Sequence, residues 1–108
     1  MDPIQPKSCA EKLNALAAPE RLKILRFLSN GPKNVSEIAE MLKTAAVNVA
    51  HHMNVLLQAK LVKRRKEGRF VYYYLVQGLH QPGVNQDGIE FFNLGCCRLE
   101  VPKQPESE

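Results

Sequence analysis

The sequence predicts a mainly α-helical fold that carries one small β-hairpin and an extended C-terminal segment. Before residue 60, four segments repeat apolar residues with the period of an α-helix. Residues 60–75 then hold a run of cations followed by β-branched and aromatic residues, which is typical of a hairpin. Beyond residue 77, glycine and proline recur so often that we do not expect a long C-terminal helix.

Length and composition indicate one domain with a modest core, since the 108 residues are 44% apolar and 24% charged. The net charge of +4 is unevenly distributed: residues 60–79 carry six Lys/Arg against one Glu, whereas residues 80–108 carry two against five acids. No stretch approaches the roughly 20 apolar residues that cross a membrane, and no signal-peptide pattern is present. Three cysteines do not make a disulfide framework, so we expect a cytoplasmic protein.

The first two helices are predicted from apolar spacing and end signals. After a flexible lead of residues 1–8, a helix is expected over Cys9–Ala18, capped by Ser8 with Glu11 completing a capping box. Its predicted inward residues are Cys9, Leu13, Leu16 and Ala17. Pro19 suits the first position of the second helix, which is apolar around so much of its circumference that it should be the most buried.

The third and fourth helices are predicted to form a tight pair. Asn34 or Ser36 should cap the third helix. Only Lys43-Thr44-Ala45 separates it from the fourth, Ala45–Ala59, so the two must turn sharply against each other. The fourth helix is predicted to bury Val49, Met53, Leu56 and Leu57 and to expose Ala46, Val47, Asn48, Ala50, His51 and Asn54.

The outward face of the fourth helix is small, polar and uncharged, which would let it enter the major groove of DNA closely. Asn48 can pair with adenine, and His51 can donate to a base or a phosphate. This face has no arginine that could make a bidentate contact with guanine. We therefore expect contacts with the phosphate backbone of the DNA to contribute most of the binding affinity. The alternative is an interface helix inside an oligomer. We expect His52, which points about 100° away from His51, to be a buried hydrogen-bonding residue rather than a metal ligand.

The hairpin gathers positive charge at a protruding tip, with a turn predicted at Glu67-Gly68. This arrangement favours binding to double-stranded DNA, because each Lys or Arg that contacts a phosphate releases condensed counterions. The alternative is a solvated hairpin with a basic face. The predicted DNA-binding set is Ala45, Ala46, Val47, Asn48, His51, Lys63, Arg64, Arg65, Lys66 and Arg69.

Four blocks of the sequence resemble the ArsR family of winged-helix repressors: ALAAPERLKILRFL, VSEIAEML, VNVAHHMNVLLQAKLV and RRKEGRFVYYYL. The likeness covers about residues 10–76. It implies a winged helix-turn-helix domain, here residues 9–76, with Ala45–Ala59 as the recognition helix and Val62–Leu75 as the wing. It also implies a homodimer that binds double-stranded operator DNA as two half-sites and releases it when an inducer binds, often a metal or metalloid ion.

Both metal sites that are common in this family are expected to be missing here. Many arsenic and cadmium sensors of the family carry a Cys-x-Cys pair at the start of the third helix, where this chain has Asn34-Val35-Ser36. Zinc sensors of the family use Asp and His on a C-terminal helix, whereas this chain offers only His80 in that region.

The C-terminal extension, residues 77–101, is predicted to contain short strands within 89–101. We expect these strands to pack across the dimer, with the first helix completing the interface. Residues 102–108 are rich in Pro, Glu and Ser and are predicted to be disordered.

The cysteines are the main functional candidates outside the DNA-binding unit. Cys96 and Cys97, with Cys9 as a third donor, could bind a soft metal or metalloid ion, because thiolates select such ions. A redox switch through a disulfide to Cys9 or to the partner chain is the second interpretation. Neighbouring residues in a strand point to opposite faces, so the sulfurs of Cys96 and Cys97 should diverge. The third interpretation is that one cysteine packs in the core and the other is incidental.

Two classes of function therefore remain open. The first is a dimeric, sequence-specific transcriptional regulator, most simply a repressor released by an inducer. The second is a winged helix kept as a protein-interaction or dimerisation module without specific DNA binding. An enzyme is not expected, because the sequence holds no nucleophile with a base, no paired carboxylates and no phosphate loop.

Overall fold

The computed structural model describes residues 6–81 and 89–102, and it contains four α-helices and six short β-strands within them. The helices are α1 (Pro6–Ala15), α2 (Pro19–Leu28), α3 (Val35–Leu42) and α4 (Ala46–Gln58). The strands are β1 (Lys33–Asn34), β2 (Val62–Glu67), β3 (Phe70–Leu75), β4 (His80–Gln81), β5 (Ile89–Asn93) and β6 (Arg98–Pro102). They form two antiparallel sheets, ordered β1-β3-β2 and β4-β5-β6.

Helix α1 lies three residues earlier than predicted, since it runs from Pro6 to Ala15 rather than from Cys9 to Ala18. The fixed φ of proline suits the first turn of a helix, so the chain becomes helical before Ser8, which therefore does not cap it. The inward face is also only partly as predicted. Leu16 is buried, but Leu13 is 42% exposed. The described part of the chain thus leaves an apolar side chain of α1 uncovered.

Helices α2 and α4 supply the centre of the core. Ile24, Leu25 and Leu28 of α2 are buried, in agreement with the prediction that this helix is deeply buried. The predicted inward face of α4 is confirmed by Val49, Met53 and Leu56, which have no exposed surface. Leu57, the fourth predicted inward residue, is half-buried. This packing leaves the opposite face of α4 to solvent.

Helix α3 is capped by Asn34, the first of the two predicted caps. The Asn34 side chain accepts a hydrogen bond from the backbone N–H of Glu37 at 2.9 Å, and the Glu37 carboxylate accepts one from the backbone N–H of Asn34 at 2.9 Å. This is a reciprocal capping box. At the other end, Lys43 adopts a left-handed conformation with φ of 56°, which ends α3 and turns the chain directly into α4.

Replacing Asn34 with alanine is expected to lower the free energy of unfolding by about 1 kcal/mol, because the backbone N–H of Glu37 loses the side-chain oxygen that accepts from it. Urea denaturation followed by circular dichroism measures the effect. Ser36→Ala is the matched control, since Ser36 is exposed on the first turn and does not cap the helix. Equal losses in both variants would contradict the assignment of the cap.

Strands β2 and β3 form the predicted hairpin, with Val62 opposite Leu75 and Glu67 opposite Phe70. Its turn is Gly68-Arg69 and not Glu67-Gly68, because Glu67 still pairs within the ladder. Gly68 has a positive φ of 62°, which glycine adopts without steric cost. Strand β1 was not predicted, and it pairs with β3 through Lys33 and Asn34. Since Asn34 also caps α3, this pairing joins the hairpin to the helix-turn-helix.

The C-terminal extension forms strands β5 and β6, as predicted, and contains no long helix within the described residues. Strand β4, which was not predicted, pairs with β5. Phe92 and Leu94 are 1% and 3% exposed and belong to the same core as α2 and α4. The extension therefore packs on its own chain, and its predicted role across a dimer remains a prediction. The predictions of a flexible lead over residues 1–8 and a disordered tail over residues 102–108 are wrong where they can be checked, because residues 6–8 belong to α1 and Pro102 ends β6. Residues 1–5 and 103–108 lie outside the described ranges.

Candidate nucleic-acid interface and thiol cluster

The outward face of α4 is exposed along its whole length. It consists of the residues predicted from the sequence: Ala45 at the cap, then Ala46, Val47, Asn48, Ala50, His51 and Asn54. Val47 is the most exposed of the large apolar side chains in the described residues, at 73%. None of these residues is an acid, a lysine or an arginine. The helix can therefore approach another surface without burying an unpaired charge.

Asn48 is held at the start of α4 by the turn before it. Its side-chain nitrogen Nδ2 donates to Thr44 Oγ1 at 2.7 Å, and Thr44 lies in the turn between α3 and α4. Both residues line a cleft of about 360 Å³, together with Glu20, Leu42, Lys43, His51 and His52. The bond restricts the rotamers of Asn48, so its amide is already oriented before any ligand arrives.

His52 is hydrogen-bonded, as predicted, but it is half-buried rather than buried. Its Nδ1 lies 3.1 Å from Arg21 Nη1. Because a guanidinium can only donate, Nδ1 accepts, and the proton of the neutral ring is on Nε2. Burial, with a further contribution from the Arg21 charge, lowers the pKa of His52 from its ordinary value. Arg21 Nε also donates to the carbonyl of Ala15, so one side chain joins α1 to α4.

The cations of the hairpin are all exposed, namely Lys63, Arg64, Arg65, Lys66 and Arg69. Arg65 is partly engaged, because Nε donates to the Glu67 carboxylate and the guanidinium lies 5.3 Å from the centre of the Tyr74 ring. Arg64 and Lys66 lie on the other face of β2, since side chains alternate along a strand. The hairpin thus presents positive charge on both faces and at its tip.

The three cysteines form a cluster that the sequence alone did not place. Cys9 on α1 is joined to Cys96 by a disulfide. The sulfurs of Cys96 and Cys97 are 4.0 Å apart, and all three sulfurs lie within 4.8 Å of one another. The prediction that the sulfurs of Cys96 and Cys97 diverge is wrong, because both residues lie in the loop between β5 and β6. There the backbone bends at Gly95, with φ of 93°, and strand alternation does not apply.

A lysine that sequence analysis missed connects this loop to α1. Lys12 Nζ donates to the carbonyl of Leu94 at 3.0 Å. The loop is also closed internally, because the N–H of Leu94 donates to the carbonyl of Cys97 at 2.9 Å. Lys12 is one turn after Cys9, on the same side of the helix. The spacing between Cys9 and Lys12 is the only feature of the sequence that points to Lys12. Its contact with Leu94 could not be predicted, because 82 residues separate the two.

The sharp α3–α4 turn, the exposed face of α4 and the cationic β2–β3 hairpin together define a winged helix-turn-helix protein. Residues 18–64 match the family model described as "Bacterial regulatory protein, arsR family". The chain belongs to this family, whose members are transcriptional regulators rather than enzymes. It is a DNA-binding transcriptional regulator, and the resemblance noted from the sequence is confirmed. The three cysteines lie outside the matched residues.

The match extends over most of the length of three curated relatives. The chain is 41% identical over 71 residues to an uncharacterized HTH-type transcriptional regulator of Methanocaldococcus jannaschii, covering 65% of this chain and 80% of the relative. It is 33% identical over 81 residues to the transcriptional repressor SdpR of Bacillus subtilis, covering 75% and 89%. It is 31% identical over 92 residues to the arsenical resistance operon repressor of Staphylococcus xylosus, covering 84% and 88%.

Solved structures show the same fold. HlyU from Vibrio cholerae superposes with a TM-score of 0.64 at 29% identity, covering 68% of this chain and 79% of that one. A homodimeric winged helix-turn-helix DNA-binding domain from Mycobacterium bovis superposes with a TM-score of 0.62 at 30% identity, covering 64% of each chain.

Within the described ranges, no helix has the length and apolar character needed to cross a membrane.

Proposed function

We propose that this protein is a cytoplasmic, homodimeric transcriptional repressor that places α4 in the major groove of its operator and the β2–β3 wing on the phosphate backbone. The observation that carries the proposal is the pairing of an uncharged, fully exposed helix face with a cationic hairpin in one helix-turn-helix unit. The first surface suits close approach to base edges. The second supplies affinity, because cations on phosphates release counterions.

Each part of this surface has a different task. The small residues Ala45 and Ala46 let the start of α4 lie deep in the groove, and Val47 offers methyl groups to a thymine methyl. The pre-oriented amide of Asn48 pairs with adenine, and His51 donates to a base or a phosphate. The wing cations Lys63, Arg64, Arg65, Lys66 and Arg69 contact phosphates and position the protein without selecting a sequence.

A second copy of the chain completes the binding unit. The winged helix-turn-helix domain from Mycobacterium bovis is homodimeric. In this chain, Leu13 of α1 is 42% exposed, and packing of α1 against a second copy would cover it. Two copies related by a two-fold axis would present two α4 helices to half-sites about 34–36 Å apart.

The repressor is released by an inducer that acts on thiols. The thiols of Cys9, Cys96 and Cys97 are the groups that would bind a soft ion or react with an oxidant. One relative is named for arsenical resistance, which is consistent with an inducer of this class.

A gel-shift titration on fragments of the protein's own promoter region tests the proposal. A repressor should bind one fragment in preference to random DNA of equal length, and its binding constant should fall steeply with salt. An interaction module without specific DNA binding would show only weak retention, equal on every fragment. That second result would overturn the proposed function.

Asn48→Ala is expected to reduce discrimination between the operator and single-base variants by about 1–3 kcal/mol at the contacted base pair, because a bidentate contact is lost. Competition gel shifts with a panel of operator variants measure this change. Gln58→Ala is the control, since Gln58 is an exposed amide at the far end of α4. If Asn48→Ala weakens binding equally on all sequences, its assigned role is wrong.

A further inference from the structure

The C-terminal sheet has one strand edge that no other strand covers. Strand β6 pairs with β5 on one side, and within the described residues no strand pairs with its other side. Arg98 and Glu100 are exposed on this strand, whereas Leu99 between them is half-buried against the main core. A strand at the edge of a sheet offers unpaired backbone N–H and C=O groups to another strand. The edge of β6 is therefore a surface to which a further strand could add.

The hydrogen bonds of the β5–β6 turn show which residues of β6 direct their backbone groups to this edge. The N–H of Leu94 donates to the carbonyl of Cys97 at 2.9 Å, and this bond continues the register of the β5–β6 ladder. Bonded and non-bonded pairs alternate along an antiparallel ladder. Leu99 therefore directs its backbone groups to β5. Those of Arg98 and Glu100 point to the free edge.

We propose that the β6 edge pairs, antiparallel, with the β6 edge of a second copy of this chain, which joins the two C-terminal sheets into one sheet of six strands. A two-fold axis at Leu99 would place Arg98 opposite the partner's Glu100, and Glu100 opposite the partner's Arg98. Both members of each charged pair direct their backbone groups to the edge, so this register also satisfies the alternation of the ladder.

The two charges select this register over its neighbours. The nearest registers that keep the backbone alternation are shifted by two residues. They would place Arg98 opposite the partner's Arg98, or Glu100 opposite the partner's Glu100. Like charges directly opposite each other destabilise an antiparallel pair, whereas opposite charges stabilise it. The second of these registers would also place Pro102, which has no N–H to donate, opposite the partner's Arg98.

Both charged side chains are available to a partner. Within the described part of the chain, neither Arg98 nor Glu100 takes part in an ion pair. The Arg98 guanidinium lies 4.7 Å from the centre of the Phe91 ring, which restricts its position on the exposed face of the sheet. A closed two-fold contact needs a surface that is complementary to itself. A cation and an acid two residues apart on one edge meet this requirement.

The pairing would fix the two DNA-binding units relative to each other. Leu99 of β6 lies opposite Phe92 of β5, and Phe92 is buried in the core that α2 and α4 also form. The edge of β6 is thus attached to the same core as the recognition helix. The use of this dimer on two operator half-sites rests on the proposed function, whereas the pairing itself does not.

Charge reversal tests the pairing through the oligomeric state of the full chain, measured by sedimentation equilibrium. Arg98→Glu and Glu100→Arg should each raise the dissociation constant of the dimer by about tenfold or more, because two opposite-charge pairs become like-charge pairs. The double variant Arg98→Glu/Glu100→Arg should return to the wild-type constant. An equal mixture of the two single variants should form heterodimers. Lys23→Glu, which reverses an exposed charge on α2, should dimerise like the wild type.

Amide hydrogen exchange gives an independent readout of the same contact. The N–H groups of Arg98 and Glu100 should exchange slowly in concentrated protein, where the dimer forms, and quickly in dilute protein. The N–H of Leu99 bonds to β5 within one chain, so its exchange rate should not depend on concentration in this way.

Three results would decide against the inference or against the function. Wild-type dissociation constants in both single variants, or exchange at Arg98 and Glu100 that ignores concentration, would show that the dimer forms elsewhere. A wild type that stays monomeric would remove both the pairing and the homodimer of the proposed function. Weak operator binding by protein that dimerises through β6 would remove only the proposed function. Circular dichroism of every variant, with the disulfide in the same state, separates loss of the dimer from loss of the fold.

Discussion

Replacing Arg64 and Lys66 together with alanine should weaken operator binding and flatten its salt dependence by about 1.8 in the log–log slope, since each phosphate contact contributes about 0.9. The loss should be nearly equal on operator and random DNA, because phosphate contacts carry no sequence information. These two cations are suitable because both are exposed on β2, whereas Arg65 is already engaged by Glu67 and the Tyr74 ring. Fluorescence anisotropy at several salt concentrations measures both quantities.

The matched control for the wing is the pair Lys7→Ala and Lys23→Ala. These lysines are exposed on α1 and α2, and their removal changes the net charge of the chain by the same amount. The control pair should leave the salt slope almost unchanged, because these lysines lie off the proposed interface. If both pairs flatten the slope equally, the affinity comes from overall charge, and the wing has no special part in it.

Phe92→Ala is expected to lower the free energy of unfolding by about 3–5 kcal/mol, the usual cost of truncating a fully buried aromatic residue. Phe92 is 1% exposed and packs in the core that α2 and α4 also form. Its loss should therefore destabilise the whole domain and not only the C-terminal sheet. Urea denaturation of wild type and variant, with the disulfide in the same state in both, measures the change.

Phe91→Ala provides the comparison for this prediction. Phe91 precedes Phe92 in β5 but is half-buried on the opposite face, with the Arg98 guanidinium 4.7 Å from its ring centre. Its truncation should cost clearly less than that of Phe92. If both variants lose less than about 1 kcal/mol, the C-terminal sheet is not part of the main core.

Local sequence signals were sufficient for most of the DNA-binding unit. The apolar period of α4 predicted both its buried face, including Met53, and its exposed face, including Asn48, because helical geometry relates each residue to neighbours three or four positions away. The start of α3 could also be predicted from a local signal, since Asn34 and Glu37 are only three residues apart. The start of α1 was placed wrongly because two local signals, Pro6 and the Ser8 box, competed.

Distant contacts could be decided only by the folded chain. The candidate thiol site depends on Cys9 meeting Cys96 across 87 residues, and its anchor depends on Lys12 reaching Leu94. The contacts of Arg21 also depend on the tertiary structure. Its side chain bonds to Ala15 of α1 and to His52 of α4, and no spacing or composition in the sequence indicates these contacts. A helical period or a cap needs only a few neighbouring residues. A meeting of distant side chains depends on how the helices and sheets pack around Phe92 and Met53, which no short stretch of the chain specifies.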